Sequence, residues 1–63
     1  MDKYKIIYNH EKTTIIREFK NKKEAIKYYI ELLETPAETN ITELSIYKGE
    51  KDITISINKF LFN

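Results

Sequence analysis

The chain has 63 residues, which leaves room for one small domain and one modest hydrophobic core. It contains no cysteine, which excludes a disulfide-stabilised secreted scaffold and any thiolate metal site. Eleven basic and ten acidic residues give a formal net charge of +1, without the basic excess that is typical of a small nucleic-acid-binding module.

The first two elements are predicted to be strands joined as a β-hairpin. Apolar and polar residues alternate over 3–9 and again over 13–20, with a polar link at 9–12 between them. Centring the hairpin on this link gives a register with sensible pairs on both faces. The expected pairs are Ile6 with Ile15, Tyr8 with Thr13, and Lys3 with Glu18.

The only segment with helical periodicity covers 21–34. Asn21 is a favourable N-cap, and Glu24 three residues later completes a capping box. Pro36 disfavours helical geometry at the residue before it, so the helix is expected to end near Glu34. Five apolar residues recur at helical spacing and form one stripe: Ala25, Ile26, Tyr29, Ile30 and Leu33.

Two features of this helix have alternative interpretations. Tyr28 and Leu32 widen the apolar face, either to cover the edge of the sheet or to contact a partner. Lysines also cluster at the start of the helix and glutamates at its end, against the macrodipole. These charges are either simply solvated or form a bipolar face that complements a partner, such as a second copy lying antiparallel.

A second hairpin is predicted after a polar connection at 35–40. Its strands cover 41–48 and 51–59, and Gly49-Glu50 suits a type II′ turn. The expected inward pairs are Ile46 with Ile53, Leu44 with Ile55, and Thr42 with Ile57. The expected outward pairs are Tyr47 with Asp52, Ser45 with Thr54, and Glu43 with Ser56.

These elements predict a single α+β domain over 1–63 with the order β-β-α-β-β. We expect a four-stranded antiparallel sheet with one helix packed on one face and the strand order 2-1-3-4, which makes every neighbouring pair antiparallel. At the end of the last strand, Leu61 either continues the inward face, or Phe60 and Phe62 project from the outer face or an edge into an interface.

No group of residues indicates an enzyme. His10 is the only histidine and is placed in the turn of the first hairpin, so neither a catalytic role nor a transition-metal site is expected. One glycine cannot build a phosphate-binding loop. We therefore expect no cofactor and no metal. The sequence shows no signal-peptide pattern and no apolar run that could span a bilayer, which favours a cytoplasmic protein without membrane contact.

The function that we expect is protein–protein interaction. More than half of the residues are Ile, Lys, Asn, Tyr or Phe, all of which have AT-rich codons, and this favours an AT-rich bacterial or phage genome. Taken with the small size of the chain, it suggests by analogy a phage or mobile-element inhibitor or adaptor that acts on a larger host protein. A homodimer is also expected, because a chain this small gains stability from association. The candidate partner-binding residues are Ile7, Ile16, Tyr28, Leu32, Tyr47, Phe60 and Phe62.

The alternative function is nucleic-acid binding through the outer face of the sheet. Lysines there would follow phosphates while aromatic rings stack on bases. The lysines are Lys3, Lys5, Lys12 and Lys20, and the rings are Tyr47 and Phe60. Three acidic residues on the same face, Glu18, Glu43 and Asp52, count against this alternative.

Overall fold

A computed structural model describes residues 3–35 and 40–62. The strands form one antiparallel sheet in the order β2-β1-β3-β4, so the predicted α+β class and strand order are confirmed. The predicted polar connection lies mainly at 36–39, outside the described residues. The elements in chain order are β1 Tyr4–His10, β2 Thr13–Phe19, α1 Lys22–Leu33, β3 Ile41–Lys48, β4 Lys51–Asp52 and α2 Thr54–Phe62.

The first hairpin has the predicted faces but a different register. Ile6 pairs with Arg17, and His10 pairs with Thr13, so the strands are offset by two residues from the predicted pairing. His10 therefore ends β1 instead of lying in the turn. The turn tightens because Glu11 adopts a left-handed φ of 58°, a conformation that is unfavourable for a residue with a Cβ. A shift of two residues keeps every side chain on its expected face.

The predicted central helix is confirmed as α1. The side chain of Asn21 accepts a hydrogen bond of 2.9 Å from the backbone N–H of Glu24, and Glu34 is the C-cap. Ala25 and Tyr29 are buried and face β1 and β2.

The largest correction is in the last element, where the predicted strand over 51–59 is wrong. The strand stops at Asp52, and residues 54–62 form a second helix, α2. Of the expected pairs, Tyr47 with Asp52 is present, and Gly49 has the positive φ, 62°, that the predicted turn needs. Ile55 does not face inward but is exposed.

The hydrogen bonds at Ile46 show how the chain changes from strand to helix. The N–H of Ile53 still donates to the carbonyl of Ile46, as in a continuing ladder. The carbonyl of Ile53, however, accepts from the N–H of Ile57 and so begins α2. The N–H of Ile46 is satisfied instead by Oγ1 of Thr54, at 2.9 Å. Oδ1 of Asp52 accepts from the N–H of Thr54, which satisfies one free donor of the first helical turn.

The width of the sheet gives the physical reason for a second helix. One helix is roughly 10–12 Å across and strands lie about 4.8 Å apart, so one helix covers only about two strands. Accordingly α1 packs on β1 and β2, while α2 packs on β3. Both helices therefore cover the same face of the sheet. The buried core residues come from both helices and the two central strands: Ile6, Tyr8, Ala25, Tyr29, Ile46 and Ile57.

A bulge interrupts the pairing of β1 with β3. The register shifts between Ile7 and Asn9, and Glu43 on the opposite strand has a left-handed φ of 54°. The side-chain amide of Asn9 donates to Oε2 of Glu43 at 2.7 Å, and the hydroxyl of Thr14 donates to Oδ1 of Asn9 at 2.8 Å. This chain of hydrogen bonds fixes the bend in β3.

Candidate functional site

A shallow apolar groove lies between the end of α1 and α2, and we call it the α1–α2 groove. It has a volume of about 450 Å³. Three large apolar side chains along it reach into solvent: Leu33 is 41% exposed, Ile55 74% and Phe62 70%. Asn58 and Lys59 complete its lining. Exposed apolar side chains that share one groove are typical of a docking surface, whereas isolated ones are not.

The helical spacing of α2 explains why these residues share a face. Ile55 and Phe62 are seven residues apart, which is nearly two turns, so they point in the same direction. Phe60 is five residues from Ile55 and lies roughly 140° around the helix. It is as exposed as Ile55 but belongs to another side of α2. The two phenylalanines therefore do not act from one surface.

A hydrogen bond joins the two helices at Asn58, which lines the groove. The hydroxyl of Tyr29 on α1 donates to Oδ1 of Asn58 on α2 at 2.7 Å. Burial raises the pKa of the Tyr29 phenol, although the bond to Asn58 acts in the opposite direction. The hydroxyl is thus a neutral donor at neutral pH, and it joins the two helices at a fixed distance.

One basic and one acidic residue lie close to the apolar residues of the groove. Lys59 lines the groove itself, and Glu34 lines a second depression of about 350 Å³ that shares Leu33 and Phe62 with the groove. Glu34 and Lys59 are both exposed. The two shared apolar residues therefore have a positive charge in one depression and a negative charge in the other.

The candidate residues on the outer face of the sheet form a separate cluster. Ile7 pairs directly with Ile16, which is 56% exposed. Tyr47 pairs with Lys5, whose Nζ lies 5.8 Å from the centre of the Tyr47 ring. We call these residues, without Lys5, the outer-face cluster. Because both helices lie on the opposite face, Phe62 and the outer-face cluster cannot contact one flat partner surface together.

The structure places Tyr28 and Leu32 against the core of the same chain. The Tyr28 ring lies 5.3 Å from that of Phe19, and its hydroxyl is 3.0 Å from the hydroxyl of Tyr8. That hydrogen bond raises the pKa of Tyr8. Leu32 is half-buried and packs on the same core. Phe60 and Phe62 lie on α2, so their expected projection from the outer face or an edge of a last strand is wrong.

A third surface is rich in lysine. Lys22, Lys48 and Lys51 line a groove of about 470 Å³ between the starts of α1 and α2, together with Ser56. Sequence reasoning placed the basic surface on the outer face instead. The contribution of α2 to this groove is Ser56 and Ile57.

Of the residues that line the α1–α2 groove, sequence reasoning selected only Phe62 and missed its two apolar neighbours as well as Asn58 and Lys59. Leu33 was assigned to the buried stripe of the helix, and Ile55 to the inward face of a strand. The exposure of Ile55 follows from α2, because a helix turns Ile55 away from Ile57 whereas a strand keeps both on one face. The available signal was the spacing of Ile53, Ile57 and Leu61, which recur every four residues.

The described residues contain neither a metal-binding cluster nor a membrane-spanning helix. Within 3–35 and 40–62, no three His, Asp or Glu side chains are grouped so that they could hold a metal ion. In the same part of the chain, neither helix has the length and apolar character needed to cross a membrane.

Comparison with other proteins gave no relative. No family model matches the sequence. Neither the curated proteins nor the solved structures contain a match.

Proposed function

We propose that this chain is a non-enzymatic protein–protein interaction module that acts by docking on another polypeptide. The observation that carries the proposal is the exposure of Leu33, Ile55 and Phe62 around one groove. Burying a large apolar side chain is worth roughly 1.5–3 kcal/mol, so a partner that covers these three residues gains substantial affinity. The groove also has charged residues at its rim, as protein interfaces commonly do.

The outer-face cluster provides a second docking area on the opposite side. Ile7 and Ile16 form an apolar spot surrounded by polar residues, with an aromatic ring from Tyr47 nearby. A module with two faces can contact a larger protein with one while the other is occupied. Such a module fits an inhibitor or adaptor of phage or mobile-element type that acts on a larger host protein.

Affinity capture from a lysate of the native host, read by mass spectrometry, tests this function. Three baits are compared: the wild-type chain, Phe62→Ser in the groove and Ile16→Ser on the outer face. Both substituted side chains are exposed, so each variant should fold. We expect one protein to be enriched by the wild type and lost with at least one variant. Enrichment of nothing, or equal recovery by all three baits, would contradict the proposal.

The lysine-lined groove supports a second candidate function, the binding of a polyanion such as a nucleic acid. Lys22, Lys48 and Lys51 line it, and lysines neutralise phosphates effectively. The formal net charge of only +1 argues for a weaker and more local site than in dedicated nucleic-acid-binding domains. Titration with a fluorescent oligonucleotide at increasing salt tests it, because phosphate contacts weaken steeply as salt rises. No binding at low salt would reject this candidate.

A further inference from the structure

The surface around the α1–α2 groove is complementary in charge to itself. We propose that the groove is the interface of a homodimer, in which a second copy of this chain packs its Leu33, Ile55 and Phe62 against those of the first. This inference rests on the proposed function, since it names the partner of the same groove.

The charge pattern is the main argument for a second copy as the occupant. In a two-fold symmetric interface, the same patch from both subunits meets, and residues on opposite sides of the axis face each other. Lys59 lines the groove and Glu34 lines the second depression, while Leu33 and Phe62 are shared by both. An axis that passes beside Phe62 therefore brings Lys59 of each copy to Glu34 of the other. One patch supplies both members of two intermolecular ion pairs.

The size of the patch sets the expected strength of the dimer. The exposed parts of Leu33, Ile55 and Phe62 present apolar surface on the order of 400 Å², about half of what one partner contributes to a standard interface. The second depression adds Ile30 and Leu61 at the rim. An interface of this size, with charge complementarity, should dissociate in roughly the micromolar range.

Sedimentation equilibrium over about 1–500 µM tests the proposal directly, since this range brackets the expected dissociation constant. The wild-type mass should rise from 7.6 kDa towards twice that value. Phe62→Ser should stay monomeric throughout, and Ile55→Asn should weaken the dimer in the same way. Ile16→Ser is the matched control, because it replaces an exposed isoleucine on the opposite face and should dimerise like the wild type.

Charge reversal provides a sharper test of the geometry. Glu34→Lys places one lysine against Lys59 of the other copy in each of the two pairs and should weaken the dimer by about tenfold, because both pairs change from attractive to repulsive. Lys59→Glu should have a similar effect. The double variant restores both pairs with reversed polarity and should dimerise within about twofold of the wild type.

The Glu34→Lys variant also separates lost association from lost folding. A lysine at the end of α1 is favourable to the helix dipole, so the monomer should be at least as stable as before while the dimer is weaker.

A wild-type chain that is monomeric at every concentration would overturn the dimer. So would a dimer that is unaffected by Phe62→Ser or not rescued by the double charge reversal, since either result places the contact elsewhere. If the wild type is monomeric but Phe62→Ser still loses a captured host protein, the groove binds that protein and the proposed function stands without the dimer.

Discussion

Thr54 is the first residue of α2, and its side chain makes the change from strand to helix possible. Its hydroxyl accepts the N–H of Ile46, which would otherwise need a backbone carbonyl from a longer β4. That carbonyl, on Ile53, is free to accept from Ile57 instead. One side-chain oxygen thus replaces one rung of the ladder and allows α2 to begin.

Removing that oxygen without changing the shape of the side chain should destabilise the fold. Thr54→Val leaves the partly buried N–H of Ile46 without an acceptor, at a cost of about 1–3 kcal/mol. Thr54→Ser keeps the hydroxyl and should cost clearly less. The free energy of unfolding from urea titration, followed by circular dichroism, measures both. Equal stability of Thr54→Val and the wild type would show that the hydroxyl is not needed for the change of element.

Asp52 should make stability depend on pH in the acid range. The side chain of Thr54, and also its backbone N–H at 2.9 Å from Oδ1, hold the pKa of the Asp52 carboxyl below its ordinary value of 3.8. Of these two groups, the backbone N–H is the better-placed donor to the Asp52 carboxylate, because the Thr54 hydroxyl is hydrogen-bonded to the backbone of Ile46. Since the folded pKa is the lower one, the carboxylate stabilises the fold above about pH 4, and this contribution disappears as pH falls through the folded pKa.

Asp52→Asn provides the comparison, since the amide keeps an oxygen acceptor but does not titrate. Urea midpoints measured from about pH 5 to pH 2.5 should fall more steeply for the wild type than for Asp52→Asn, because only the wild type loses this charge. The other carboxylates are common to both proteins and cancel in the difference. Parallel curves would mean that the charge of Asp52 does not contribute.

At the scale of elements, the hydrogen bond from Tyr29 to Asn58 joins the two helices. Tyr29→Phe removes the hydroxyl that donates to Asn58 and should destabilise the fold by about 1 kcal/mol, since the amide oxygen then loses its partner between the helices. Tyr47→Phe removes a hydroxyl on the outer face and serves as the control, with an expected change within about 0.5 kcal/mol. Thermal unfolding at one fixed concentration measures both. A loss no larger for Tyr29→Phe than for Tyr47→Phe would contradict this role.

The elements that were predicted well from the sequence are those whose apolar residues follow a single spacing, either helical or alternating. Over 21–34 the apolar residues follow the helical spacing alone, and Asn21 supplies a start signal, so α1 was predicted to within one residue at each end. Over 53–61 both periods coexist: Ile53, Ile55 and Ile57 alternate, while Ile53, Ile57 and Leu61 recur every four residues. β-branched residues favour a strand locally. The need to cover β3 favours a helix, and only the assembled sheet reveals that need.

The ambiguity between strand and helix over 53–61 also limited how much of the candidate site could be predicted. Ile7, Ile16 and Tyr47 were found because strand alternation alone identifies the outer face. Phe62 was identified because it belongs to an apolar segment at the end of the sequence, but its neighbours in the groove were not identified. Leu33 and Ile55 come together only once α2 lies beside α1, and no local pattern contains that contact.

At the scale of the whole molecule, the proposed dimer should make thermal stability depend on concentration. Only the folded chain presents the groove, so association shifts the unfolding equilibrium towards the folded state. The wild-type Tm should rise by several degrees over a hundredfold increase in concentration, a shift of the size expected from a stability change of about 1 kcal/mol in a small domain. Phe62→Ser should show a constant Tm. Differential scanning fluorimetry at matched concentrations checks this, and a concentration-dependent Tm in Phe62→Ser would point to another interface.

The bend at Glu43 limits how this protein can assemble. Because β4 has two residues, the stretch 41–45 of β3 has no strand on the side away from β1 among the described residues. A straight, uncovered edge of this kind is a template onto which further chains can add without end. The left-handed Glu43, held by Asn9, breaks the regular spacing of donors and acceptors along that edge. Growth into fibrils along this edge is thereby discouraged.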